Sequence, residues 1–142
     1  MKVKPVRVVL DTNVLISSLW GGKPRKVIDL WDKRKFLLIV SQAVLDEYFA
    51  VLNRFELTEE DIEDITILFS NPNKTLLVKP KSKINRIKKD PEDNKFLACA
   101  MEGEADFIVS GDKHLLELGN FGDSQIVTVS RFLDSLSAGL RL

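Results

Sequence analysis

The chain has 142 residues, with 21 Lys and Arg against 21 Asp and Glu and a single histidine, so its formal net charge is zero. With 44% hydrophobic and 30% charged residues it is too apolar for a disordered chain, and collagen-like and coiled-coil readings are excluded as well. The even balance argues against gripping nucleic acid by bulk charge and leaves only local basic patches for such a role.

No internal repeat and no Gly, Pro or Ser tract marks a boundary, which predicts one domain over residues 1–142. Cys99 is the only cysteine, so an intrachain disulfide and a cysteine-based zinc cluster are impossible, and a reducing cytoplasm fits best. The apolar start, Val6 to Trp20, is interrupted by Asp11, and the longest apolar run, Phe36 to Val40, is too short to cross a bilayer. The expectation is a cytoplasmic protein with no membrane partner.

In chain order, Val6–Leu10 and Phe36–Val40 read as strands buried on both faces of a parallel sheet. Ser41 is placed to cap a helix running to Phe55, with Val44, Tyr48, Val51, Leu52 and Phe55 on one stripe. Thr58–Phe69 opens on a T-x-x-D capping pattern, turning Ile62, Ile65, Leu68 and Phe69 inward and Glu59, Glu60, Glu63 and Asp64 to solvent. Weaker strands are Thr75–Val78, Asp106–Ser110 and Gln125–Val129. Pro91 suits the first position of a helix to about Met101, and Ser130 the cap of a last helix through Leu136. Strands alternating with helices predict a three-layer α/β/α fold, Rossmann-like, around a mainly parallel sheet. Ligands in such folds gather at the carboxyl ends of the strands.

Four acids converge there in this reading. Asp11 and Asp112 directly follow strands, although each is also well placed to cap a helix. Glu47 lies two turns into its helix, about 40° from Val51 at roughly 100° per residue, at the edge of the buried stripe. A carboxylate there calls either for a Lys or Arg partner or for a cation. Asp93 shares a face with Phe96, Leu97 and Ala100, while Asp90 suits the cap before Pro91. Crowded carboxylates select a hard cation, Mg²⁺ or Mn²⁺, and such a cluster suits phosphodiester hydrolysis. Thr12, Asn13 and Ser110 stand beside the acids as accessory groups that orient carboxylates or water.

The blocks V-V-L-D-T-N-V-L-I-S, S-Q-A-V-L-D-E-Y, D-P-E-D-N-K-F-L-A-C-A and D-F-I-V-S-G-D-K-H-L-L occur in this order. Together they resemble the PIN-domain nucleases, in particular the toxin components of VapC-type toxin–antitoxin pairs. The resemblance implies a PIN-like fold with Asp11, Glu47, Asp93 and Asp112 as the catalytic and metal-holding set, and Asn13 and Ser110 as accessory polar positions. It further implies metal-dependent endonucleolytic cleavage of RNA by a homodimer that a small antitoxin blocks.

Lys79, Lys81, Lys83, Arg86, Lys88 and Lys89 form a basic stretch that suits RNA phosphates if it lies beside the acids, and solvent if it does not. Lys23, Arg25 and Lys26 follow Gly21 and Gly22 as a mobile entrance or as ordinary surface. Trp20 and Trp31 read as core or interface, Cys99 as a small hydrophobe, and His114 as a surface or capping residue that the chemistry does not require. Two other functions compete. A Mg-binding receiver-like signalling domain would want paired acids after the first strand, and Asp11 stands alone. A non-catalytic binding module on the same scaffold would leave the acids without metal response.

Overall fold

The computed structural model describes residues 4–81 and 91–138. The elements are β1 Arg7–Leu10, α1 Thr12–Ser18, α2 Lys23–Asp32, β2 Leu37–Ser41, α3 Gln42–Leu52, α4 Glu59–Ser70 and β3 Thr75–Val78. A 3-10 turn, Pro91–Asp93, then leads into α5 Asn94–Glu102, followed by β4 Phe107–Val109, α6 Lys113–Leu118, β5 Asn120–Phe121, β6 Ser124–Val127 and α7 Val129–Ser137. The described strands form one sheet in the order β3-β2-β1-β4-β6-β5, parallel except for the β5–β6 hairpin.

The central strands are buried on both faces: Val8, Val9, Leu10, Leu38, Ile39 and Val40 are all inaccessible or nearly so. Such strands need helices above and below. Right-handed crossovers from β1 to β2 and from β3 to β4 run in opposite directions across the sheet, which puts their helices on opposite faces. One face carries α2 and, packed beside it, α7, whose Phe132 ring meets Phe36 and Phe107 edge-on at 5.5 and 5.6 Å. The other carries α5, where Gly103 approaches Ile39 so closely that a Cβ would lie 2.3 Å from its Cγ2. Trp31 is fully buried on α2, and its indole N–H donates to the Lys74 carbonyl at 3.0 Å and to the Thr75 hydroxyl at 3.2 Å. The layered, mainly parallel architecture expected from the sequence is present.

Local signals held where a side chain satisfies backbone. The Ser41 hydroxyl accepts from the Val44 N–H at 3.2 Å, and Thr58 and Asp61 close a reciprocal capping box. Four expectations need correcting. The third helix stops at Leu52, so Phe55 lies beyond it, 42% exposed, and meets the Trp20 ring edge-on. Ile62 faces solvent rather than the core. The last helix is capped by Thr128, whose hydroxyl accepts from Arg131, and Ser130 is already inside it. The Pro91 segment begins as a 3-10 turn before α5. The segment after Gly22, read as a mobile entrance or as ordinary surface, forms α2, opened by Pro24 in its first turn. No described helix is long and apolar enough to cross a membrane.

Candidate metal centre at the carboxyl rim of the sheet

Asp11 leaves β1 and caps α1, its Oδ1 accepting from the Asn13 N–H at 3.4 Å. Its Oδ2 accepts from the Ser110 hydroxyl at 2.6 Å, across the β1–β4 pairing. Ser110 is wholly buried, and its oxygen in turn accepts the Asp112 N–H at 2.9 Å. Asp112 caps α6, with Oδ1 accepting from the backbone N–H groups of His114 at 2.7 Å and Leu115 at 3.3 Å. One serine thus fixes the relative position of two acids that belong to adjacent strands.

Both capping expectations for Asp11 and Asp112 are therefore met, and capping does not exhaust either carboxylate. Burial pushes the Asp11 carboxyl above the ordinary aspartate range, and the nearby Asp112 and Glu47 charges add to the rise against the opposing Ser110 and Asn13 hydrogen bonds. Asp93, buried at the N-cap position of α5, makes no side-chain capping bond. Its carboxylate, that of Asp112 and the imidazole of His114 bring one ligand atom each within 4.8 Å of one another. His114 Nδ1 is enclosed, without a hydrogen-bond partner among the described residues, 3.7 Å from Asp112 Oδ1.

Glu47 reaches the same rim from α3 but is engaged on both oxygens. Thr12 donates its hydroxyl to one, and Lys95 on α5 donates to the other at 2.7 Å while also reaching Glu92 at 2.8 Å. Burial pulls the Lys95 ammonium down, but its hydrogen bonds and the charges of Glu47 and Glu92 outweigh that and leave its pKa raised. The basic partner that a half-buried Glu47 calls for is thus Lys95, a residue the sequence did not single out although it stands two positions after Asp93. Lys95→Met is expected to cost about 1 kcal/mol, seen as a lower urea midpoint, with the loss shrinking in high salt as repulsion among the remaining acids is screened.

Asn13 contributes its backbone N–H, and its side chain is exposed. Tyr48, fully buried on α3, donates its hydroxyl to the Leu10 carbonyl and so anchors the helix that carries Glu47 to the strand that ends in Asp11. Burial holds the Tyr48 phenol well above its usual range, so it stays a donor. Lys79 and Lys81 are exposed, and the Lys81 N–H donates to the Glu102 carboxylate at 3.2 Å. Lys83, Arg86, Lys88, Lys89 and Asp90 lie outside the described residues. His114 is the residue undervalued from sequence; its signal was its place two residues after a strand-end acid, on the first turn of a helix.

The "PIN domain" family model matches residues 7–114, a span holding every acid described above. An uncharacterised protein of Methanocaldococcus jannaschii, MJ1680, is 34% identical over 124 residues, covering 82% of this chain and 77% of that one. A solved structure of VapBC2 from Rickettsia felis, bound to a DNA fragment from its promoter, aligns with a TM-score of 0.56 at 12% identity, over 87% of this chain and 98% of that one. The family match extends over most of the sheet and both halves of its acidic rim, and the chain belongs to the PIN-domain family.

Proposed function

We propose that the protein is a metal-dependent endoribonuclease, the toxin of a toxin–antitoxin pair, acting in the cytoplasm as a homodimer that a small antitoxin protein restrains. The observation that carries the nuclease reading is the meeting of Asp93, Asp112 and His114 ligand atoms within 4.8 Å at the strand ends, beside a buried Asp11 whose pKa is raised. The Asp93 and Asp112 carboxylates, with the Asp11 carboxylate in their field, fit a hard divalent cation of the Mg²⁺ or Mn²⁺ type, and the His114 imidazole is a ligand that Mg²⁺ does not call for. Its overall fold likeness to the VapBC2 structure supports the toxin–antitoxin assignment.

Asp11, Asp93 and Asp112 would hold the cation, with Glu47 joining when Lys95 releases it. When bound, the cation supplies charge neutralisation at the scissile phosphate and acidifies the attacking water. Ser110 keeps Asp11 and Asp112 in register, and Thr12 orients Glu47. Lys95 has a second use in this scheme, since its ammonium lies at the rim where a phosphate oxygen arrives. No side-chain nucleophile is required.

The test is cleavage of mixed-sequence single-stranded RNA with Mg²⁺ or Mn²⁺, run beside EDTA and an Asp93→Asn variant to exclude contaminating nucleases. Cleavage that needs metal and vanishes in the variant is expected. Wild-type cleavage rates in Asp93→Asn overturn the site assignment, and absence of both cleavage and metal-induced thermal stabilisation favours a non-catalytic binding module.

A further inference from the structure

Away from the acidic rim, a groove of about 930 Å³ runs between α2 and α7. It starts where the Lys23 ammonium meets the Ser130 hydroxyl at 3.2 Å, in the first turns of both helices, and reaches Lys4 and Lys35 at the amino end of the sheet. Its walls carry Lys4, Lys23, Lys26, Lys33, Arg34 and Lys35 against two acids, Asp29 and Asp134. Asp29 is paired with Arg25 at 3.5 Å, and among the described residues none of the six cations is in an ion pair. A chain of zero net charge has therefore gathered six cations against two acids along one groove.

One of them sits where a different residue would be easier. Arg34 closes α2 at φ 58°, with its N–H on the Trp31 carbonyl at 3.0 Å and the Lys35 N–H on the Leu30 carbonyl at 2.9 Å. That left-handed position favours glycine, and an arginine there costs roughly 1 kcal/mol. Lys33, Arg34 and Lys35 gain something from the carboxyl end of the α2 dipole, but Lys23 and Lys26, in its first turn, do not. The shared property of the six is positive charge facing one channel.

We propose that this groove holds the phosphate backbone of single-stranded RNA beyond the bond being cut, an inference that rests on the nuclease reading above. The ten residues of α2 give the channel a length of about 15 Å at 1.5 Å per residue. Its upper end opens beside Thr128, which follows β6, the strand paired with the β4 that leads to Ser110 and Asp112. An RNA strand leaving the acidic rim over β6 would meet this end of the groove, where the lysines spaced along it would contact phosphates without reading bases.

The experiment measures binding, by anisotropy in EDTA, of labelled single-stranded RNAs of about 16 and about 4 nucleotides. The native chain is expected to prefer the longer RNA. In the triple variant Lys26→Glu, Lys33→Glu, Lys35→Glu that long-to-short preference falls at least about tenfold, and the slope of log affinity against log salt becomes shallower by about 2. The corresponding Lys→Gln triple, gentler on the fold, moves both quantities the same way by less. A triple variant with native preference and native salt slope overturns the groove assignment while leaving the nuclease reading intact. A native chain that binds neither RNA in EDTA and cleaves neither with Mg²⁺ or Mn²⁺ overturns both.

Discussion

Asp11→Asn is expected to abolish cleavage and, in the metal-free protein, to raise the melting temperature. The amide oxygen still accepts from the Asn13 N–H, and the amide nitrogen donates to the Ser110 oxygen, reversing the native bond in which Ser110 is the donor. What it removes is a buried negative charge crowded by Asp112 and Glu47. The native carboxyl has its pKa raised in the folded state, so folding takes up a proton as pH rises above the ordinary aspartate range. Native stability from this group is present at low pH and is lost as pH climbs through the raised value. The stability gap between variant and native chain should therefore open with rising pH and close in acid, which paired thermal melts will show. Cleavage should drop by about a thousandfold or more, since a missing cation ligand removes several kcal/mol of transition-state stabilisation. A variant that melts lower than the native chain at neutral pH would contradict the account of Asp11 as a strained charge.

Gly103→Ala is expected to be the most damaging single-methyl change in the described fold. Gly103 ends α5 at φ −88°, a conformation open to any residue, so its smallness is a matter of space. The added Cβ would sit 2.3 Å from Ile39 Cγ2 and 3.3 Å from the Cys99 carbonyl, and Ile39 is fully buried in β2 with nowhere to turn. The Gly103 carbonyl is held as well, accepting from Arg7 at 2.8 Å. Overpacking of this kind costs about 2 kcal/mol, or roughly 6 °C in melting temperature. Ile39→Ala in the same chain should recover part of the loss, and a double-mutant cycle with no coupling would refute the contact.

The sheet was legible because its central strands are continuous apolar runs, a pattern that survives without knowledge of their neighbours. The caps Ser41 and Thr58 were legible because a hydroxyl satisfies backbone a few residues away. Less visible were α1, α2 and α6, short or interrupted helices whose burial is decided by α7 and by the sheet rather than by their own periodicity. The two-residue β5 exists only through its hairpin with β6, whose turn uses Gly122 at φ 59°. At the rim, the strand-end acids could be placed from sequence because topology alone brings strand ends together. The partners Lys95 and His114 could not, because whether a lysine in the first turn of α5 points to Glu47 depends on the angle at which two helices cross. The basic groove was equally hidden: its cations come from the approach to β1, from α2 and from the turn after it, and only their shared exposure along α7 makes them one surface.

The bond between Ser110 and Asp11 joins residues 99 positions apart. Contacts of such sequence separation form late, because the loop-closure entropy must be met before they return anything. During synthesis the ribosome delivers Asp11 and Glu47 long before β4, and until β4 docks against β1 the rim has neither Ser110 nor Asp112 in place. The acidic centre is consequently incomplete until β4 has docked and brought Asp112 to the rim.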